Sequence, residues 1–282
     1  MTSSRASSRS PARASVPQIQ AVPLPALPEV TPGAELSLLI ANAWRDLARE
    51  QPNLAPRPRD VLVVTQKIVS KAEGALVDLG TIEPRREAVE FARRWERDPR
   101  QVEVVLREST QVLRMERGIV VCRTRHGFVC ANAGVDASNT GRGDFVTLLP
   151  DDPDASARRI RDGLATRLEL EPSNVPAVIV SDSFGRPWRF GIVDVALGVA
   201  GIEPLVDWRG RPDADGRVMH STVVAIADEI CSTAELAASK TSRQPVVLVR
   251  GVEFNAPRGD RPGSEPSVQR EVVMPLDMDL FR

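Results

Sequence analysis

With 282 residues, 42% hydrophobic and 27% charged, the chain is large enough to bury a core without help from disulfides or a structural metal. Its 37 basic and 38 acidic side chains leave a net charge of -1, which excludes the broad positive footprint that a nucleic-acid backbone demands. Apolar runs such as PAVIV at 176–180 are too short to cross a bilayer, and no charged-then-apolar leader opens the chain, so the expected location is cytoplasmic.

Residues 1–18, rich in Ser, Arg, Ala and Pro, carry too little apolar surface to offset the entropy of ordering and read as a loose tail. Their composition also suits a transit peptide, but the apolar stripe of one is missing. IQAVPLPALPEVTPG from 19 reads as an extended, proline-punctuated opening strand, and ELSLLIANAWRDLARE at 35–50 as a helix. In DVLVVTQKIVS at 60–70 the β-branched VLVV marks a buried strand that ends where polar residues begin. PRREAVEFARRWER at 84–97 opens with proline at a first-turn position and predicts a charged surface helix. Strand-like runs at 102–106, 119–122 and 127–135 predict a β-rich middle. A proline- and acid-rich start predicts a helix over 153–167, followed by the strand VPAVIVSD at 175–182. The repeated glycines of 186–216 predict tight turns, before a helix at 219–238 and a last strand, PVVLVRG, at 245–251.

Strands alternating with helices around a β-rich stretch argue for an α/β fold of mixed α+β layers, without solenoid repeats. The expected organisation is a tail at 1–18, a unit at 19–254 and a C-terminal extension at 255–282. Cys122, Cys130 and Cys231 are an odd set without C-x-x-C spacing and read as reduced core thiols.

Two places bring a carboxylate straight off a buried-type strand into small hydroxyl or amide residues: GVDASNT at 134–140 and SDSFGRPWR at 181–189. Asp136, Asp182 and the Ser183 hydroxyl suit a hard divalent ion, because Mg²⁺ or Mn²⁺ takes oxygen ligands and commonly uses one or two carboxylates beside substrate phosphates. The same acids also fit an Asx turn or a helix cap. Lys67 and Lys71 follow a strand, where Lys71 can reach a phosphate as a compact point charge or simply stay solvated. Arg186 and Arg189 flank Trp188 and suit either a bidentate anion clamp or a stacked surface position. His126 and His220, the only histidines, are too far apart to suggest a zinc site, one expected at the surface and one half-buried. No phosphate loop of the G-x-x-x-x-G-K-[ST] type and no G-x-S-x-G elbow is present, and GRGD at 141–144 reads as a turn.

Five stretches, ALPEV at 26–30, VVTQKIVSKAEG at 63–74, GFVCANAGVDASNT at 127–140, VSDSFGRPWRFGIVDVALGVAGIEPL at 180–205 and PVVLVRG at 245–251, resemble the coenzyme F420:L-glutamate ligase (F420-0 gamma-glutamyl ligase) family in order and spacing. The resemblance implies a GTP-dependent ligase that joins L-glutamate to the lactyl-phosphate arm of the deazaflavin coenzyme F420-0 through an acyl phosphate, then adds further glutamates by γ-linkage. It implies a two-part α/β fold in an intertwined homodimer, Mg²⁺ or Mn²⁺, two per site, and potassium as an activator. The family's nucleotide contacts fall on Ala26, Leu27, Pro28, Glu29, Gln66, Lys71 and Asn139, and its metal positions on Asp136, Asp182 and Ser183. Ser183 stands where relatives often carry threonine and keeps the hydroxyl; Gln66 replaces a serine.

The larger departure is AASKTSRQ at 237–244, where Lys240 stands near the Glu or Gln that touches metal and nucleotide in relatives. A protonated lysine cannot ligate a metal, so either the second ion is held differently or Lys240 meets phosphate directly. That departure leaves room for a chain that binds GTP or the deazaflavin without turnover, and the two aspartates alone also suit a metal-dependent phosphohydrolase.

Overall fold

The computed structural model describes residues 18–137, 144–238, 243–257 and 265–279. The opening segment forms β1 (Gln20–Pro23) and leads through prolines to α1 (Leu36–Glu50), whose Ile40, Trp44 and Leu47 turn one stripe into the core. β2 (Val61–Thr65), buried from Val61 to Val64, passes without a loop into α2 (Gln66–Ala72), then into the short β3 (Leu76–Asp78).

The predicted charged helix is α3 (Arg86–Trp95), closed by Glu96 in the left-handed conformation at φ 52°. The stretch 102–106, expected as a strand, lies instead inside α4 (Pro99–Arg107). Proline occupies the first turn, the Asp98 carboxylate caps by accepting from the Arg100 backbone N–H at 2.8 Å, and Val102, Val105 and Leu106 bury one helical face. Start signals and a 3–4 spacing outweigh the β-preference of three valines.

The β-rich middle follows as β4 (Ser109–Glu116), β5 (Ile119–Thr124) and β6 (Val129–Ala131), an antiparallel sheet of three strands. The expected strand at 127–135 is cut short by a 3₁₀ turn at Asn132–Gly134, where Asn132 and Ala133 take φ of 53° and 51°. β7 (Phe145–Thr147) pairs back on β3, and α5 (Pro153–Arg167) is capped by Asp152.

A long hairpin of β8 (Ala177–Arg186) and β9 (Arg189–Ala200) occupies much of the region expected to be turns. Its glycines serve the strands: Gly198 lets α5 press onto β9, where an added Cβ would lie 2.2 Å from the Pro153 carbonyl carbon. β10 (Val206–Asp207) and β11 (Val223–Val224) pair across an exposed excursion, so α6 (Ile226–Ala237) begins seven residues later than its predicted start at 219. β12 (Val246–Arg250) matches the expected last strand, and α7 (Val268–Glu271) closes the described chain.

The main sheet has the order β1-β12-β2-β8-β9; β2 and β8 run parallel, and every other pair is antiparallel. Alternation along the central strands supplies two cores. Leu62, Val64, Val178 and Val180 face α1 and α5, while Val61, Val63, Ile179 and Val247 share a cluster with Ile230 and Ala234 of α6. A third cluster joins α3 and α4 to β5 through Phe91, Leu106 and Cys122. The mixed α/β class is the one expected from sequence. All three cysteines are buried, and burial pushes the Cys130 thiol up to about 12, as inert core thiols require. Among the described residues no helix is long and apolar enough to cross a membrane.

Val268 joins the α6-side core, and Ser267 reaches the buried Asp154 near the start of α5. The Asp154 carboxylate accepts from Ser267 Oγ at 2.7 Å, Val268 N at 3.2 Å and Val199 N at 2.8 Å.

Candidate functional site

Where two parallel strands end side by side, polar side chains and the following turns are delivered to one crevice. β2 and β8 are in register from Val61 opposite Ala177 to Thr65 opposite Ser181; β2 ends there and Gln66 opens α2, while β8 runs on past it with Asp182 paired to Val195 of β9. A cleft of about 1240 Å³ opens there, bounded by α2, the opening segment, the end of β8, β9 and α6.

One wall is basic and paired. Lys71 is buried, yet its Nζ lies 2.6 Å from Glu29 Oε1, contributed by the segment before α1. Lys67 Nζ lies 2.6 Å from Asp136 Oδ2. Gln66 is buried and accepts from Ser70 Oγ at 2.7 Å. Asp136 is held by its backbone, which donates to Thr147 O at 3.1 Å and accepts from Thr147 N at 2.8 Å. Its carboxylate is turned to Lys67.

The facing wall is acidic. Burial pushes Asp182 up to about 7, against the backbone N–H of Ser183 that favours its charged form; the charges of Asp194 and Asp136 push the same way as burial, and Lys67 opposes them. Ser183 Oγ donates to Asp194 Oδ1 at 2.5 Å, and Ser232 Oγ of α6 donates to the Asp194 carbonyl at 3.0 Å.

Asp136 and Asp182 line the cleft with the Ser183 hydroxyl, and these oxygen atoms are of the kind a hard divalent cation takes. Among the described residues no group of three or more His, Cys, Asp or Glu side chains is placed to hold a metal ion.

Of the positions singled out from sequence, Leu27, Pro28, Glu29, Gln66 and Lys71 line the cleft, and so do Asp136, Asp182 and Ser183. Ala26 immediately precedes this lining, while Asn139 and Lys240 lie outside the described residues. Arg186 and Arg189 do not line the cleft: they sit at the tip of the β8–β9 hairpin, where Arg186 Nη2 donates to the Phe190 carbonyl at 3.0 Å. His126 is buried with Nε2 2.9 Å from the Pro150 carbonyl, and His220 is exposed.

Residue reasoning missed Asp194, Ser181 and Glu235, all of which line the cleft. Asp194 had a legible signal: one acid inside the apolar run GIVDVALG needs a polar partner if that run is a buried strand. Reading the run as turns removed the conflict that would have exposed it.

An oxygen-rich, lysine-walled crevice at the carboxyl ends of parallel strands is the site of an α/β enzyme rather than of a scaffold protein. Comparison with known proteins narrows that class: the F420-0:Gamma-glutamyl ligase family matches residues 26–251, and the chain belongs to this family. It is 40% identical over 259 residues to coenzyme F420:L-glutamate ligase of Methanothermobacter thermautotrophicus, covering 91% of this chain and 96% of that one. It is 38% identical over 268 residues to the protein of the same name from Methanopyrus kandleri, covering 95% and 99%. The similarity to the Halorubrum lacusprofundi protein is 40% over 249 residues, covering 86% and 89%.

Proposed function

We infer that this chain joins L-glutamate to coenzyme F420-0 in coenzyme F420 biosynthesis. The observation that carries this is the family match across 26–251, with relatives of that name aligned over nearly their whole length. The cleft supports it, because residues from separate segments meet there with the chemistry that an acyl-phosphate ligation needs.

The co-substrate in this reading is GTP. A carboxylate is a poor acyl donor until its oxygen becomes a phosphate, so the F420-0 carboxylate attacks the γ-phosphorus of GTP, breaking the β–γ bridge and releasing GDP. The glutamate nitrogen then attacks the acyl carbon; a C–N bond forms, inorganic phosphate leaves and the nitrogen loses a proton. Further glutamates join by the same step through γ-linkage.

Lys71 and Lys67 offset the phosphate charge from the α2 wall, and Gln66, the 26–29 segment and Asn139 contact the nucleotide. Asp136, Asp182 and Ser183 would hold Mg²⁺ or Mn²⁺, which supplies charge neutralisation at the phosphates. The unit carrying the activity spans 19–254, with 255–282 as an extension. A homodimer is part of the reading, supported by the exposed Trp188, Phe190 and Ile192 at the β8–β9 tip.

Purified protein incubated with F420-0, GTP, L-glutamate and Mn²⁺ is expected to give a product heavier by one glutamyl unit, with GDP released only when glutamate or F420-0 turns over. GDP release without any mass gain in the deazaflavin would overturn the ligase reading in favour of phosphohydrolysis.

A further inference from the structure

Each lysine of the α2 wall meets a carboxylate, and the two carboxylates are tied down differently. Asp136, 2.6 Å from Lys67 Nζ, is fixed by its two-way backbone pairing with Thr147. Glu29, 2.6 Å from Lys71 Nζ, stands on the stretch between β1 and α1, outside any helix or strand, and its side chain is 75% exposed against 10% for that of Lys71. The backbone of this stretch is anchored on either side of Glu29. Leu24 and Val30 are buried, the Leu24 N–H donates to the Val246 carbonyl at 2.9 Å, and the Gly33 N–H donates to the Ala72 carbonyl at 2.8 Å. Leu27, Pro28, Glu29 and Val30 are thereby held along the cleft, while the Glu29 carboxylate turns on its own side-chain torsions.

That freedom bears on what reaches Lys71. In the ligase reading the cleft takes one polyphosphate and two carboxylate-bearing molecules, the acceptor and the amino acid. An ammonium is a compact point charge and does not by its shape tell a carboxylate from a phosphate. A carboxylate already seated on it does. Carried on the same chain, Glu29 acts at an effective concentration on the order of millimolar or above, so a free carboxylate, which offers Lys71 the same chemistry, does not replace it below that level. A triphosphate brings several charges on one molecule and does.

We propose that Glu29 is a specificity residue: its carboxylate holds Lys71 against the carboxylates of the co-substrates and swings away when a nucleoside triphosphate brings its phosphates there. The inference rests on the ligase reading and adds how the nucleotide lysine is kept clear of the other two substrates. Segment 26–29 then meets the nucleotide with the Glu29 carboxylate turned outward.

The test is equilibrium titration of a fluorescent, non-hydrolysable GTP analogue with Mg²⁺ into wild type, Glu29→Gln and the double variant Glu29→Gln/Lys71→Ala. Each titration is repeated with glutarate, a dicarboxylate without an amine, as competitor. Glutamine keeps the length of the side chain and removes its charge. Glu29→Gln is expected to bind the analogue about three- to fivefold more tightly, the scale of a largely exposed ion pair, and to let glutarate displace it at concentrations that leave wild type unaffected. Removing Lys71 as well should abolish the glutarate competition, because the carboxylate then has no lysine to take. In glutamylation at subsaturating GTP, Glu29→Gln should show inhibition by excess L-glutamate that wild type lacks. Weaker analogue binding by Glu29→Gln overturns the proposal, since the carboxylate would then be a nucleotide contact; so does glutarate competing equally with wild type and Glu29→Gln, or competition that survives in the double variant. If wild type binds the analogue and makes no glutamylated product, the ligase reading falls while the exchange at Lys71 stands. If wild type is active and Glu29→Gln admits no glutarate, the role of Glu29 falls alone. Should the double variant fold poorly, wild type against Glu29→Gln decides the matter.

Discussion

Glu103 in the α3–α4 pair and Asp182 in the cleft are both carboxylates withdrawn from water, and the fold pushes them in opposite directions. Glu103 accepts from Arg85 Nε and Nη2 at 2.9 Å, from the Arg85 backbone at 3.0 Å and from Arg107 Nε at 2.8 Å, and the Arg85 hydrogen bonds hold it down at about 2. Asp182 meets the Ser183 N–H and two neighbouring acids, and burial pushes it up to about 7. One acid is finished by the fold; the other is left short of positive charge. That contrast separates a structural carboxylate from one placed for a ligand.

The comparison can be broken most severely at the cleft. Asp136→Ala should abolish glutamylation while the thermal midpoint stays near wild type, since Asp136 is held through its backbone to Thr147; undiminished turnover in a folded variant would falsify its place among the metal ligands. Lys71→Ala should raise the GTP KM by about tenfold, the scale of one charge-assisted contact, and fluorescence titration with a labelled GTP analogue checks it. On the structural side the readout reverses. Glu103→Gln should leave kcat untouched and lower stability by about 2 kcal/mol, seen as a fall of several degrees in Tm.

The pH dependence sharpens the same contrast. A carboxylate held below its ordinary 4.5 stabilises the fold fully above that value and loses the contribution as pH falls toward about 2. The stability gap between wild type and Glu103→Gln, measured by urea unfolding, should therefore be constant above pH 5 and shrink through the acid range; a gap that widens on acidification would contradict the assignment. The smallest effect belongs to the exposed pair Arg86–Glu90, where Glu90→Ala should shift stability by less than about 0.5 kcal/mol.

Much of this was legible in the chain where one physical signal dominated. VLVV could only be a central strand, and proline with an acid marked the start of α5. The reading failed where two signals competed. In PRQVEVVLR the β-branched residues hid a capped helix, and in RFGIVDVALGVA the glycines, needed for a bulged strand and a close helix contact, suggested turns. The site followed the same division. Asp136, Asp182, Ser183 and Lys71 fell on positions that the family resemblance marks, while Asp194 and Ser181, inside one of the same motifs, acquire meaning only through the pairing of β8 with β9 and their packing beside α6. Cross-strand neighbours cannot be read from a segment whose strand is unrecognised.

The clasp of Ser267 and Val268 on Asp154 has a mechanical consequence. Force applied at Ser267 or Val268 would load the start of α5 and, through Val199, the outer strand of the main sheet. A tether attached there therefore tugs on the same strand that carries Asp194, so immobilisation from this end strains the cleft more than anchoring through the exposed β10–β11 excursion.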